Sequence, residues 1–345
     1  MKSTGKPLYD ALKGVAQATP PIWFMRQAGR YLPEYRQLRA KAGSFMQLCL
    51  DPEKAATVTL QPIDRFGMDG AILFSDILIV PYGLGTDVSF REGEGPVLPK
   101  LRPGDGLPVF DPAAFAERTA PIMETVRLVA GRMPGSTTLI GFAGAPWTVA
   151  TYMVEGGSSR DFSATKRWAY GHPGEFQTLI DRIVEATIAY LRAQLDAGAE
   201  ALQLFDSWAG VLPPEAFRRW SIEPAARIVE ALRQSHPGVP LIGFPRGAGA
   251  SIVDYAEATG VDAVSLDTAV PLAWARHWMP GVCLQGNLDP QWLVVGDDGM
   301  AAEVERIRDA MTGAPFVFNL GHGIVPETPP EHVGRAVAVL RGEGV

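Results

Sequence analysis

Apolar residues along this chain fall into short continuous runs separated by longer amphipathic stretches. Eight runs stand out, at 22–25, 71–74, 138–142, 201–205, 240–244, 263–266, 282–285 and 316–319. Most are continuous rather than alternating, as expected of parallel strands buried on both faces. The stretches between them carry helix signals. Asp51-Pro52-Glu53 is an N-cap followed by proline, opening a helix towards Phe66 that Pro62 should kink. Asp111-Pro112 opens another, to about Val129. Phe176, Leu179, Ile180, Ile183, Val184, Ile188 and Leu191 form an apolar stripe at helical spacing, closed by Gly198. Further helices are predicted over 214–233, 251–258, 272–278, 300–311 and 331–340.

Eight strands alternating with helices predict an α/β chain folded as a single-domain (β/α)8 barrel over residues 1–345. A doubly wound open sheet is the alternative. The barrel is favoured because the eighth strand is followed by one more helix, so the count closes. Two connections are long. Residues 77–137 hold a predicted hairpin, Val88-Ser89-Phe90 and Val97-Leu98 about the turn Glu92-Gly93-Glu94-Gly95. Residues 144–172, rich in Gly, Ser and aromatics, read as a binding loop or lid.

Composition narrows the function classes. The chain has 345 residues and a net charge of −7, so no basic excess exists to meet a nucleic-acid backbone. Cys49 and Cys283 are the only cysteines; they make neither a disulfide framework nor a zinc spacing and read as small buried hydrophobes. The first twenty residues lack the apolar core of a secretory signal, and no run of about eighteen apolar residues exists to span a bilayer. A reduced cytosolic compartment is the expectation.

Against this acidic background, Arg26, Arg30 and Arg36 leave the end of the first apolar run on a loop broken by Gln27, Gly29 and Pro33. Guanidiniums on such a loop suit a small anionic ligand. In a barrel, chemistry collects where strands end. There the sequence places Asp76, flanked by apolar residues; Tyr152, past a Gly-Pro turn; Ser207, within Asp206-Ser207-Trp208; and His322, between two glycines. The fifth run ends in Pro245-Arg246-Gly247, the sixth leads to Asp267 and the seventh to Asn287. Ser207 has no nucleophile elbow around it. His172, His236, His277 and His332 read as solvated or structural. Gly83-Leu84-Gly85 and Gly247-Ala248-Gly249 read as turns, and no metal-ligand spacing or nucleotide motif is present.

The run Trp23-Phe24-Met25-Arg26-Gln27-Ala28-Gly29-Arg30-Tyr31-Leu32-Pro33-Glu34-Tyr35-Arg36 resembles the N-terminal signature of the uroporphyrinogen decarboxylase family. Gly141-Phe142-Ala143-Gly144-Ala145-Pro146-Trp147-Thr148 resembles its second signature, and motifs around Asp76, Ser207, Asn287 and His322 extend the likeness over nearly the whole chain. The resemblance implies a distorted (β/α)8 barrel, a homodimer and a cofactor-free, metal-free decarboxylase of haem biosynthesis. The implied substrate, uroporphyrinogen, is a reduced tetrapyrrole with four acetates and four propionates. Its acetates become methyls, giving coproporphyrinogen and carbon dioxide. Family substrate-binding positions fall on Arg26, Gln27, Ala28, Gly29, Arg30, Asp76, Tyr152, Ser207 and His322, with Asp76, Arg26 and Tyr152 implied in catalysis. A zinc-dependent methyltransferase of the same fold and a non-enzymatic tetrapyrrole carrier are the alternatives.

Overall fold

The structure, a computed structural model, describes residues 4–91 and 95–343. Seven parallel strands curl into one sheet: β1 (Gly70–Ile72), β4 (Thr138–Gly144), β5 (Ala201–Asp206), β6 (Leu241–Pro245), β7 (Ala263–Ser265), β8 (Cys283–Leu288) and β9 (Phe316–Leu320), paired in that order. β2 (Ser89–Arg91) and β3 (Gly95–Val97) form a separate antiparallel pair, Ser89 opposite Val97. That is the predicted hairpin; of its turn, residues 92–94 lie outside the described residues.

The first predicted strand differs. Residues 22–25 form no ladder, only a single parallel bridge between Ile22 and Phe318. The segment nevertheless spans the gap between the sheet's two edges. On the β9 side, the Phe318 N–H donates to Pro21 O at 2.8 Å and the Trp23 N–H to Phe318 O at 3.3 Å. On the β1 side, the Asp69 N–H donates to Ile22 O at 2.8 Å, and the Ile22 N–H returns to Asp69 Oδ2 at 2.8 Å. The barrel is thus closed by one residue's worth of pairing, which is its distortion. The Trp23 indole reaches inward to Gln285 Oε1 at 2.9 Å, and the Gln285 amide continues to Gln203 and Ser265. These contacts fix the segment from within.

The helices follow from their caps. Asp51 accepts from the Lys54 N–H at the start of Pro52–Phe66, and Asp111 from Ala113 and Ala114 at the start of Pro112–Arg132. The apolar stripe lies on Pro173–Asp196, whose buried face carries Phe176, Leu179, Ile180, Ile183 and Leu191. Two readings need correction. Residues 214–233 are not one helix: Pro214–Phe217 and Glu223–Ser235 are joined by a π-turn, Arg218–Ile222, that aims Ser221 at buried Asp206. Residues 144–172 are not an open loop. They form the helices Pro146–Glu155 and Ser163–Gly171 around a short connection. Buried Trp147 and Trp168, both against Phe176, outweigh the glycines in deciding that local structure.

Candidate active site

Residues 24–30 are held by side chains rather than by a ladder. The Met25 N–H donates to Asn319 Oδ1 at 3.0 Å, and Met25 O accepts from Ile324 N–H at 2.9 Å. Gln27 is fully buried; its Oε1 accepts from the Phe24 N–H at 3.0 Å and its Nε2 donates to Gly70 O on β1 at 2.8 Å. Both ends of that amide are committed, and Gln27 O takes the Tyr31 hydroxyl at 2.8 Å. Gln27 therefore anchors the loop, and its side chain does not face the mouth of the barrel. Arg36 is likewise engaged, donating to Arg30 O and Tyr31 O.

Arg26 adopts φ 61, a left-handed conformation that costs a non-glycine residue roughly 1–2 kcal/mol. The anchors on both sides impose it. Its side chain lies against Gly323, where any Cβ would collide with Arg26 Cγ and Cδ, so glycine after His322 makes room for the guanidinium. Beyond this turn, the N–H groups of Ala28, Gly29 and Arg30 have no acceptor among the described residues. Consecutive free N–H groups beside two arginines make a cradle for a carboxylate.

Asp76 follows β1 by four residues. Its Oδ1 accepts from the Leu78 N–H at 2.8 Å, starting the turn into the helix Ile79–Gly83. Oδ2 has no protein donor among the described residues. Burial pushes this carboxyl up to about 6, with the Leu78 N–H and then Arg26 pulling the other way. Tyr152, on Pro146–Glu155, is pushed up to about 12, first by burial and then by the charge of Asp76. It stays a hydrogen-bond donor, and its ring lies 4.1 Å from that of Trp208. Burial lowers Arg26 from its ordinary value, opposed by Tyr152 and Asp76. These three residues thus act on one another's charge from three neighbouring positions of the barrel: the closing segment, β1 and β4.

The other half of the mouth, over the ends of β5 to β9, is a cavity of about 470 Å³ lined by Ser207, Trp208, Phe162, Arg246, Asp267 and His322 among others. His322 Nδ1 accepts from the Gly323 N–H at 2.6 Å, so the neutral ring carries its proton on Nε2. Burial, then the charges of Arg26 and Arg246, push it down to about 4. At neutral pH it is an uncharged donor. Asp206, beneath Ser207 and Trp208, is fully buried between the hydroxyls of Thr148 (2.6 Å) and Ser221 (2.5 Å). Thr148 also accepts the Trp208 N–H at 3.2 Å. Asp267 is held by the N–H groups of Gly247 and Ala269.

The structure therefore gathers Arg26, Ala28, Gly29, Arg30, Asp76, Tyr152, Ser207 and His322 around one mouth and turns the Gln27 side chain inward. Sequence reasoning passed over Arg246 and Trp208. Arg246 carries the same signal as Arg26, an arginine directly after a buried apolar run. Trp208 carries none beyond its place after a strand. Among the described residues, no group of three or more His, Cys, Asp or Glu stands together as metal ligands would.

A family profile described as uroporphyrinogen decarboxylase matches residues 3–342. A uroporphyrinogen decarboxylase of Rhodospirillum rubrum is 54% identical over 339 residues, covering 98% of this chain and 97% of that one. One from Granulibacter bethesdensis is 56% identical over 340 residues, covering 97% and 99%. Among solved structures, a methyltransferase from Methanosarcina mazei has the same fold, with TM-score 0.80 over 99% of both chains at 20% identity. That likeness reaches the fold alone, whereas the sequence matches run from end to end at more than half identity: the chain belongs to the uroporphyrinogen decarboxylase family.

Proposed function

We infer that this chain decarboxylates the acetate side chains of uroporphyrinogen, a tetrapyrrole, through the residues gathered at the barrel mouth. The observation that carries the reading is the Asp76 carboxylate, partly buried, within reach of the charges of Arg26 and Tyr152, and with Oδ2 unbonded among the described residues.

The chemistry needs a sink for the electron pair left by carbon dioxide. A proton added to the ring carbon next to the one bearing the acetate makes the pyrrole cationic. The C–CO2 bond then breaks, and its pair forms an exocyclic methylene. A second proton on that methylene gives the methyl, and the ring returns the first. The balance is one proton taken up per carbon dioxide lost. Asp76 Oδ2 accepts hydrogen bonds from pyrrole N–H groups and stabilises the cation in a poorly hydrated pocket. Arg26, Arg30 and the free N–H groups at 28–30 hold carboxylates, and His322 Nε2 and Ser207 donate to others. Burial moves Arg26 towards proton release, the direction a proton donor requires, yet a guanidinium is a weak acid and its electrostatic part is the larger. Tyr152, protonated, orients Asp76 or the substrate.

In this reading residues 1–345 act as one cytosolic domain, and two copies pair as a homodimer. No helix among the described residues is long and apolar enough to cross a membrane. The test is anaerobic incubation of chelator-treated, metal-analysed protein with uroporphyrinogen III, with products separated as oxidised porphyrins and sedimentation run in parallel. Coproporphyrinogen and carbon dioxide are expected at full rate. Binding without turnover favours a carrier; turnover that appears only with added zinc removes the metal-free mechanism.

A further inference from the structure

Arg246 leaves the end of β6 on a fixed stem. Its N–H is shared between Asp206 O (3.1 Å) and Phe244 O (3.0 Å), and its carbonyl accepts from the Gly210 N–H at 3.0 Å. Gly247, at φ 74, turns the chain immediately afterwards and packs so close to Gly210 that a Cβ there would strike the Gly247 backbone. The guanidinium on this stem is exposed, lines the cavity, and has no ion-pair or hydrogen-bond partner among the described residues. Its charge reaches both His322 and Arg26.

Counting round the barrel from the closing segment, β6 is fifth of eight positions, diametrically opposite the segment that carries Arg26. Two like charges on opposite sides of one mouth, Arg246 with no ion-pair partner among the described residues and Arg26 offset only by Asp76, suit a ligand with carboxylates on opposite sides.

We propose that Arg246 binds a propionate of the tetrapyrrole, on the pyrrole ring opposite the one being decarboxylated. The proposal rests on the decarboxylase reading above. Four acetates are lost from one substrate, so the macrocycle meets Asp76 in four orientations. The ring facing Arg246 carries an acetate in some of these rounds and a methyl in others. Only its propionate is a carboxylate in every round, so a contact that serves all four must use it.

The experiment titrates two unreactive oxidised porphyrins, the octacarboxylate uroporphyrin and the tetracarboxylate coproporphyrin, into wild type, Arg246→Ala and Arg246→Lys. Thermal stability and steady-state kinetics are measured on the same preparations. Arg246→Ala should weaken both porphyrins by the same factor, about tenfold for a lost charge-assisted contact. It should lower kcat/KM with the loss carried in KM, as for an interaction kept from ground state to transition state. Arg246→Lys should fall between, having the charge without the fork. Unchanged affinity for both porphyrins overturns the proposal. Weakening of uroporphyrin alone also overturns it, because the contact would then be to acetates. Asp76→Asn run alongside separates the two levels: if that variant turns over normally, the reading of the site fails. If it is inactive while Arg246→Ala binds as wild type, only the role of Arg246 fails.

Discussion

Asp76→Asn separates the structural role of this residue from its chemical one. Oδ1 of Asp76 holds the Leu78 N–H at 2.8 Å, a bond the amide oxygen of asparagine can keep. The turn into Ile79–Gly83 should therefore survive. The charge is a different matter. Burial pushes the Asp76 carboxyl up to about 6 from 3.8, so between those values the folded chain binds a proton that the unfolded chain has released. The sign follows: ionising Asp76 costs stability as pH rises from about 4 to 6, and above that the cost is fully present. The rise from 3.8 to about 6 corresponds to roughly 3 kcal/mol, reduced to about 1–2 kcal/mol because the side chain is partly exposed. Asn carries no such cost, so at pH 7.5 the variant should be as stable as wild type or more so. Its rate should collapse: removing one preorganised charge from a developing cation costs about 10²–10³-fold in kcat, or ~3–4 kcal/mol. Porphyrin binding should change far less, because the amide oxygen still accepts a hydrogen bond. Calorimetric melting and single-turnover decarboxylation on one preparation decide the matter. A protein that melts earlier but keeps its rate per folded molecule would show that Asp76 serves the turn and not the reaction.

Three further outcomes are expected. Arg26→Ala and Arg30→Ala should each weaken an unreactive porphyrin carboxylate by roughly 1.5–3 kcal/mol in a calorimetric titration, and wild-type affinity in both would move the anion site elsewhere. The acid limb of kcat/KM should fall as pH drops through about 6, where Asp76 is protonated in the free enzyme, and should be missing from the residual activity of Asp76→Asn; His322, neutral above about 4, adds nothing to that limb. Gln27→Ala should cost about 2–4 kcal/mol in denaturant unfolding, because it strands the Phe24 N–H and Gly70 O in the interior, and wild-type stability would refute the anchoring role given to Gln27.

How far the chain could be read in advance depended on where its interactions were made. β4 and β6 are almost wholly apolar, and β5, β8 and β9 are apolar runs interrupted by the buried Gln203, Gln285 and Asn319; they are legible because a strand buried on both faces is mostly apolar. The caps at Asp51 and Asp111 are local chemistry and equally legible. The helix bearing Tyr152 was hidden, because Gly and Ser nearby mimic a loop while its stability comes from tryptophans packed against a distant helix. The π-turn at Arg218–Ile222 was hidden for a similar reason: its partner, Asp206, is remote in sequence. At the site, the arginines announced themselves as charge after an apolar run. The inward turn of Gln27 did not, since nothing local shows that a glutamine will replace ladder hydrogen bonds on an adjoining strand. Arg246 was visible by the rule that found Arg26 and needed only its application to the fifth run.

The broken first strand and the anion cradle have one cause. A regular strand continued through residues 24–30 would pair with β9 and β1 on both sides, and its N–H groups would be consumed in those ladders. In this chain pairing stops at Trp23. Asn319 then takes the Met25 N–H and Gln27 takes the Phe24 N–H, so the buried part of the segment stays satisfied without a ladder. Once side chains meet that need, the backbone is free to leave the sheet, and the left-handed turn at Arg26 follows. The N–H groups of Ala28, Gly29 and Arg30 are then left without acceptors among the described residues. A perfectly closed barrel would have had none to offer there. The fold gives up one strand's regularity at the position where, in the proposed reading, a substrate carboxylate meets backbone donors, and the cost of the missing ladder falls on Gln27, Asn319 and Trp23, all fully buried.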